Sequence, residues 1–358
     1  MNRIMFLGAL GLGLASPAIA EDCGPLQLIN SVMLMPDRQR VLVPVTINGQ
    51  PEKMMLNTAG GVTSINQKTV DALQMDTMNT RVRFLDSAGN ASEKYVAVDF
   101  KMGDLENKDI QFMVTPNPQA GELNDTAGVL ATDILSRYDV ELDLSAGKLN
   151  LFSQNHCDGH VIYWHPSAVA VMPITLEKPR PVTIQGHLRP IARRSIHIWV
   201  SIMLDGKPVM AAINTSSGRS TMSAKVAKFI FGVAPDSTGA VKLAPINGGE
   251  GPQPFGYVFK SLTFDTVSVT NPHIVVTPDL IGSKDPNNTI DTDSRVHRQD
   301  EDLGSDMTIG MDVLKQLRTY IAFGERKVYI TPATPVADVS STPANFDLQE
   351  DHEALAPH

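Results

Sequence analysis

Two stretches decide the fold of this chain: Leu56-Asn57-Thr58-Ala59-Gly60 and Ile213-Asn214-Thr215-Ser216-Ser217. Each stretch follows two short apolar runs, which are separated by Asn48-Gly49 in the first case and by Asp205-Gly206 in the second. Asn-Gly and Asp-Gly between apolar runs predict β-hairpins, because both turn positions need positive φ. The copies align without a gap at a constant offset of 157 residues (from 57 to 214), so hairpin and loop form one repeated unit.

A second pair of segments, residues 129–135 and 308–314, repeats further along the chain. Each is apolar, contains one aspartate, and precedes two more strand-like runs. The offset is now 179 residues (from 133 to 312), so the second copy of the unit is 22 residues longer. Asp133 and Asp312 are each predicted to begin and cap a short helix, residues 133–138 and 312–317.

The repeated unit resembles the retropepsin-like aspartic protease family, in its bilobed, exported bacterial form. That family has a hairpin, a loop Asp-Thr/Ser-Gly, a flap hairpin, and an apolar-apolar-Gly-x-Asp segment that enters a helix. The resemblance covers most of residues 26–333 and implies a mainly all-β acid-protease fold with two duplicated β-barrel lobes and short helices. It also implies a substrate-binding set in the two loops and at the two flap tips: Thr58, Gly60, Thr215, Ser217, Ala88, Gly89, Gly248 and Gly249.

The chain departs from that family at the centre of each loop. Asn57 and Asn214 stand where the family has its two catalytic aspartates. Aspartic protease chemistry needs two nearby carboxylates that share one proton, one acting as a base toward water and the other as an acid. An asparagine side chain accepts no proton at any useful pH. The chain is therefore predicted to be an inactive homologue of the aspartic endopeptidases.

Three smaller replacements also affect the site. Ala59 and Ser216 replace the glycine of each loop, and Ala131 replaces the glycine of the first closing segment. A β-carbon at position 59 or 216 is expected to strain the turn if the backbone there needs an unusual φ/ψ.

Three functions are compatible with this pattern. The favoured one is an inactive protein whose cleft binds an extended peptide or another envelope protein. The second is an active endopeptidase that uses a different carboxylate, Asp86 or Glu93 near the first flap. The third is a structural envelope protein with a vestigial cleft. No cofactor is predicted, and a net charge of −9 without a basic run argues against nucleic acid as a partner.

The amino terminus predicts export from the cytoplasm. Arg3 precedes an apolar run over residues 4–14, and Ala18-Ile19-Ala20 provides a small-residue cleavage site, so residues 1–20 are predicted to be a signal peptide. The mature protein is expected to be periplasmic or secreted. No later stretch is apolar enough to predict an integral membrane segment after signal cleavage.

The two cysteines, Cys23 and Cys157, both lie in the exported part and bracket the first lobe. An oxidising compartment favours a disulfide between them. The competing interpretation is a metal site, because Cys157 is close to His156, Asp158 and His160.

Domain boundaries follow from the repeat and the composition. The predicted units are a signal peptide (1–20), an amino-terminal lobe (21–160), a linker with the carboxy-terminal lobe (161–335), and a disordered tail (336–358). The carboxy-terminal lobe carries an acidic insertion near residues 282–306. Local patterns further predict a strand over 26–34, a short helix within 66–75, two flap hairpins around 86–90 and 247–251, and a strand over 169–174.

Overall fold

A computed structural model describes residues 23–37, 39–85, 91–116, 125–176, 181–182, 191–192, 198–244, 253–278 and 305–333. Several predicted features lie outside these residues: the signal peptide, the flap tips with Asp86, the acidic insertion up to residue 304, and the tail. What the structure describes is mainly β, as the sequence predicts.

The first half of the described chain forms strands β1 (Leu28–Met33), β2 (Met35–Asp37), β3 (Arg40–Ile47), β4 (Gln50–Leu56), β5 (Ser64–Asn66), β6 (Met78–Leu85), β7 (Ala91–Met102), β8 (Leu105–Thr115), β9 (Gly128–Leu130), β10 (Asp139–Asp143) and β11 (Lys148–Phe152), with helices α1 (Gln67–Ala72) and α2 (Thr132–Leu135). The predicted short helix is α1, and Asn66 caps it by accepting a hydrogen bond from the Thr69 N–H.

The second half forms strands β12 (Ala170–Pro173), β13 (Thr175–Leu176), β14 (Pro181–Val182), β15 (Ile191–Ala192), β16 (Ile198–Leu204), β17 (Lys207–Ile213), β18 (Ser220–Ser223), β19 (Val241–Lys242), β20 (Phe255–Val258), β21 (Ser261–Phe264), β22 (Val267–Thr270), β23 (His273–Thr277), β24 (Met307–Ile309), β25 (Leu317–Ala322) and β26 (Lys327–Pro332). Its helices are α3 (Ala224–Val226), a π-helical turn (Ala227–Phe231) and α4 (Met311–Leu314).

The two hairpins that precede the asparagine loops form as the sequence predicts. Strands β3 and β4 pair antiparallel around Asn48 and Gly49, which both have positive φ (49° and 80°). Strands β16 and β17 pair in the same way around Asp205 and Gly206, at φ values of 46° and 74°. These values are the left-handed conformations that a tight two-residue hairpin turn requires.

Each lobe contains a large mixed sheet with the same internal order. The first is an eight-stranded sheet in the order β2-β3-β4-β9-β5-β8-β7-β6. The second is a ten-stranded sheet in the order β19-β20-β23-β18-β24-β17-β16-β21-β22, with β13 added beside β16. In both sheets the strand before the asparagine loop pairs parallel with the strand before the closing helix: β4 with β9, and β17 with β24.

A six-stranded sheet joins the two lobes, in the order β1-β11-β10-β25-β26-β12. Its centre is the antiparallel pair β10–β25, in which Glu141 stands opposite Tyr320. These two residues occupy equivalent positions in the two copies at the 179-residue offset, so a pseudo-twofold axis passes beside this pair. The predicted strand over 169–174 is β12, which pairs with β26 at the edge of this sheet.

The core is apolar and runs through both lobes into this shared sheet. Cys23 and Cys157 form a disulfide, which fastens the segment before β1 to the segment after β11. Because Cys157 is oxidised, the alternative of a metal site built on its thiolate is wrong. In the part of the chain that the structure describes, no helix is long and apolar enough to cross a membrane.

Candidate functional site

The two asparagine loops leave their strands at equivalent points. Asn57 follows β4, and its backbone N–H donates to the Leu130 carbonyl oxygen at 2.9 Å. Asn214 follows β17, and its N–H donates to the Ile309 carbonyl oxygen at 3.0 Å. Each loop is therefore anchored at its first residue to the strand that precedes the closing helix of its own lobe.

The loops meet at the interface through a reciprocal set of hydrogen bonds. The Thr58 N–H donates to Thr215 Oγ1, and the Thr215 N–H donates to Thr58 Oγ1, both at 3.1 Å. Thr58 Oγ1 donates to the Ile213 carbonyl oxygen at 2.9 Å, and Thr215 Oγ1 donates to the Leu56 carbonyl oxygen at 2.8 Å. These four bonds cross from one lobe to the other, so Asn57 and Asn214, each next to one of the two threonines, lie beside the interface between the lobes.

The two threonines belong to the predicted binding set, but their side chains are fully engaged in joining the lobes. Thr58 is 1% exposed and Thr215 is fully buried. A buried hydroxyl that already donates and accepts has little capacity left for a ligand. Their contribution to binding stays a prediction, and their observed contact is structural.

The side chains of the two asparagines have a defined orientation. Asn57 Oδ1 accepts the Ala59 N–H at 2.9 Å, and Asn214 Oδ1 accepts the Ser216 N–H at 2.9 Å. Ser216 Oγ also donates to Asn214 Oδ1, at 2.7 Å. A backbone N–H needs an acceptor, so in each amide it is the oxygen that accepts the loop N–H, and Asn57 Nδ2 lies beside Gly60.

The two aspartates of the closing segments do not cap helices as predicted. The N-cap positions are Ala131 and Gly310, and neither makes a side-chain capping bond. Instead, each carboxylate accepts hydrogen bonds from a residue that follows the asparagine loop of its own lobe. Asp133 Oδ1 accepts the Thr63 N–H at 3.0 Å and the Thr63 hydroxyl at 2.6 Å. The predicted helices are also shorter than expected, because each ends within one turn.

Asp312 makes the equivalent contacts in the second lobe. It accepts the Ser220 N–H at 2.9 Å and the Ser220 hydroxyl at 2.7 Å. Burial raises the pKa of Asp312, although its hydrogen bonds to Ser220 and Val313 oppose that shift. Thr63 and Ser220 are also 157 residues apart, so this support for the loops is itself duplicated. The duplication is the signal from which sequence analysis could have recognised it.

The strain expected at Ala59 and Ser216 is absent. Neither residue has positive φ, so the backbone at these positions does not require glycine. The steric constraint lies one residue further on and in the closing segments. A β-carbon at Gly60 would lie 2.9 Å from Asn57 Nδ2 and 3.3 Å from the Ala131 β-carbon.

In the second lobe, the glycine and the residue with a β-carbon exchange places at these two positions. Ser217 occupies the position of Gly60, and Gly310 occupies the position of Ala131. A β-carbon at Gly310 would lie 2.9 Å from the Ser217 carbonyl oxygen and 2.4 Å from Arg219 backbone atoms. Each lobe therefore keeps one glycine in this pair of positions. Ser217 does not approach the asparagine through its hydroxyl, which donates to the Arg219 carbonyl oxygen at 2.7 Å.

The predicted flap hairpins are present at equivalent places in the two sheets. Strands β6 and β7 flank the first tip, and β19 and β20 flank the second. The tip residues Ala88, Gly89, Gly248 and Gly249 lie outside the described residues, as does Asp86. Glu93, the other carboxylate considered for catalysis, is an exposed residue of β7.

The sequence residues 43–134 match a family model described as aspartyl protease, a region that runs from β3 into α2 and includes Asn57. Among solved structures, an aspartic proteinase from Irpex lacteus matches with a TM-score of 0.50 at 12% identity, covering 85% of this chain and 97% of that one. The chain has the fold of the pepsin-like aspartic proteinases.

Two further crystal structures resemble the chain more distantly. The protein edgp matches with a TM-score of 0.46 at 10% identity over 85% of this chain and 94% of that one. Basic 7S globulin from soybean matches with a TM-score of 0.45 at 11% identity over 86% and 95%. No curated protein matches the sequence.

Within this aspartic proteinase fold, the site has the frame for two facing carboxylates but carries two amides. The ten residues 56–60 and 213–217 include no aspartate or glutamate. The carboxylates of the two closing segments, Asp133 and Asp312, already accept hydrogen bonds from Thr63 and Ser220. What the described site offers chemically is hydrogen bonding without a group that titrates at the asparagine positions.

Proposed function

We propose that this protein is an exported aspartic-protease-like protein that binds an extended peptide, or an extended segment of an envelope protein, between its lobes without hydrolysing it. One observation carries the proposal: both central positions are asparagines, while the inter-lobe bonds between Thr58 and Thr215 are kept. The architecture that places two side chains opposite each other is intact, and only the acid–base chemistry has been removed.

The missing chemistry is sufficient to make the protein inactive. General-base assistance contributes about 10²–10⁴ in rate, and the loss of the general acid adds to that. An amide retains the size of the carboxylate and one acceptor oxygen, so shape is preserved while proton transfer is not. A peptide that binds in such a cleft is therefore not hydrolysed.

An active endopeptidase is the main alternative. It requires a carboxylate from outside the two loops, with Glu93 or Asp86 as the candidates by sequence position. The third alternative, a structural protein with a vestigial cleft, requires that no peptide bind at all. Both alternatives make predictions that differ from ours in the same pair of assays.

A peptide array and a peptidase assay, run on the same preparation, separate the three functions. We expect the mature protein to retain a subset of array peptides, and the change Gly60→Val to abolish retention, because its β-carbon would contact Asn57 and Ala131. We expect no cleavage of the retained peptides. Cleavage would support the active endopeptidase, and the absence of any retained peptide would support the vestigial cleft.

Export is part of the proposal and has its own test. The sequence evidence is the charged start, the apolar run and the Ala18-Ile19-Ala20 site. Amino-terminal sequencing of the exported protein should begin at Glu21. A cytoplasmic protein that retains Met1 would contradict this part of the proposal without affecting the cleft.

A further inference from the structure

A cavity of about 280 Å³ lies on the second lobe, apart from the pair of asparagines. Its walls are residues 218–219 just before β18, residues 271–273 at the start of β23, and residues of α4 with the two that follow this helix. Gln39, in the turn between β2 and β3, adds a contact from the first lobe. The cavity therefore lies where the two lobes approach each other.

The side chains that line this cavity make it electropositive. Arg219 and Lys315 carry permanent positive charges, and His273 adds an imidazole. Among the described residues that line the cavity, Asp312 is the only one with a carboxylate, and it already accepts hydrogen bonds from Ser220. Burial raises the pKa of Asp312, which favours its neutral form. In a chain with a net charge of −9, such a cavity is a local site for an acidic partner.

The chain leaves its last described strand beside this cavity. Strand β26 ends at Pro332, and the N–H of Ala333 donates to the Gln316 carbonyl oxygen at 2.9 Å. Gln316 is itself one of the residues that line the cavity. The segment that begins at residue 334 therefore starts within a few residues' reach of Arg219 and Lys315.

The sequence of that segment, residues 334–358, has the charge that the cavity lacks. It contains no lysine or arginine. Its five acidic residues are Asp338, Asp347, Glu350, Asp351 and Glu353. Opposite charges over several positions favour association, and a segment without a core of its own can become ordered on a complementary surface.

The length of the tether is sufficient. Asp338 is five residues beyond Ala333, which corresponds to a reach of about 17 Å when extended, and the remaining four acids lie further along the chain. A short tether gives a local concentration on the order of 1 mM. A site that binds the free segment with a dissociation constant of a few tenths of a millimolar is therefore occupied in most molecules.

Apolar groups match as well. Pro272 and Val313 line the cavity next to its cationic side chains. In the tail, Phe346 and Leu348 flank Asp347, so one short stretch presents both a carboxylate and apolar side chains. Protein binding sites commonly combine apolar walls with a few placed polar groups in this way.

We propose that this cavity is the docking site of the chain's own acidic tail, residues 334–358, whose carboxylates pair with Arg219 and Lys315. Occupied by the tail, the cavity is closed to acidic segments of other proteins. The proposal goes beyond peptide binding between the lobes and does not depend on it.

Competition between the tail and a free copy of it tests the proposal. The probe is a fluorescent synthetic peptide of residues 334–358, and its binding is followed by anisotropy at low salt. The full chain is compared with a neutral-tail variant, in which the five tail acids are replaced by the corresponding amides. We expect the neutral-tail variant to bind the peptide at least about threefold more tightly, because a tail docked in two thirds of wild-type molecules raises the apparent Kd threefold.

A charge reversal locates the site. In the neutral-tail variant, Lys315→Glu should weaken peptide binding at least about threefold, because it places a carboxylate in the cavity. The matched control is Lys228→Glu, at an exposed position of the π-helical turn in the same lobe and outside the cavity lining. It makes the same change in net charge and should leave the affinity within about twofold, since exposed charges at a distance are screened.

Four results would overturn the proposal. The first is no binding to the neutral-tail variant at about 1 mM peptide, because the tethered tail would then not fill the site either. The second is equal affinity of the wild-type and neutral-tail proteins. The third is an equal loss in Lys315→Glu and Lys228→Glu, which would indicate a general effect of charge. The fourth is a dimer in size-exclusion chromatography that the neutral tail abolishes, because the tail would then dock on a second copy.

Discussion

Replacing Thr58 with valine removes one hydroxyl from the junction between the lobes and leaves its shape almost unchanged. The hydroxyl donates to the Ile213 carbonyl oxygen at 2.9 Å and accepts the Thr215 N–H at 3.1 Å. Thr58 is 1% exposed, so water cannot substitute for either bond without entering the core. Two buried backbone groups of the opposite lobe therefore lose their partner.

The size of the effect follows from those two groups. An unsatisfied buried polar group costs about 1–3 kcal/mol, so the free energy of unfolding should fall by about 2–6 kcal/mol. The Thr215→Val change removes a different pair of bonds, to the Thr58 N–H and the Leu56 carbonyl oxygen. The two residues bond directly to each other's backbone, so we expect the loss in the double variant to differ from the sum of the two single effects.

Urea unfolding followed by far-ultraviolet circular dichroism measures this difference. Thr58→Ser retains the hydroxyl and should lose no more than about 1 kcal/mol, which separates the hydrogen bonds from the lost methyl group. Thr270→Val, at an exposed position of β22, controls for the substitution itself. If Thr58→Val were as stable as Thr58→Ser, the reciprocal bonds would not be what holds the loops together.

Three further predictions concern stability elsewhere. Replacing Cys23 and Cys157 by alanine should lower the free energy of unfolding by about 4–5 kcal/mol in a urea titration; a loss below about 1 kcal/mol would contradict this. Gly128→Ala should prevent folding or cost at least about 3 kcal/mol in the same titration, because its β-carbon would lie 2.0 Å from the Ser64 carbonyl oxygen; near wild-type stability would contradict the strand packing. The free energy of unfolding should fall as pH rises above 6.5, by at most about 1.4 kcal/mol per pH unit. Urea titrations at several pH values measure this dependence, and the His156→Gln variant should not show it.

The sign of the last prediction comes from the surroundings of His156. Burial lowers the pKa of His156, but the hydrogen bond to Asp139 at 2.7 Å and the nearby Glu325 outweigh burial and raise it. Burial also raises the pKa of Asp139. The folded state therefore binds protons more tightly than the unfolded state at both groups, and stability decreases as pH rises through their folded pKa values. A slope that persists in His156→Gln would assign the titration to Asp139 or to another group.

The sequence is sufficient to predict the local elements and the duplication. Turn chemistry at Asn48-Gly49 and Asp205-Gly206 places two hairpins, and the constant offset between the copies places the loops that follow them. The disulfide follows from two cysteines in a chain whose amino terminus predicts export. These features depend on neighbouring residues or on a pattern that repeats, so they can be read without knowledge of distant contacts.

The contacts between the lobes were not predictable in the same way. The pairing of β10 with β25 joins residues about 180 positions apart, and an alternating strand pattern does not specify its partner. For the same reason, the sequence did not predict the contact between His156 and Asp139. It also did not predict the hydrogen bond that the Gly324 N–H, from the other lobe, donates to the Asp139 carboxylate. The roles of Asp133 and Asp312 were misassigned because an aspartate at a helix start usually caps it, whereas here a buried hydroxyl competes for the carboxylate.

The central claim is that the cleft binds peptide without cutting it, and one measurement tests it most directly. A degenerate peptide library is incubated with the mature wild-type protein, and with Asn57→Asp/Asn214→Asp, from about pH 3 to about pH 7, and products are counted by mass spectrometry. We predict no cleavage by the wild-type protein at any pH, and acid-range cleavage by the double variant, since Ala59 and Ser216 leave the loops unstrained. Cleavage by the wild-type protein would contradict the claim. If that cleavage were lost on Glu93→Gln but retained in the control variant Gln50→Glu, at an exposed position of β4, the protein would be an active endopeptidase that uses Glu93.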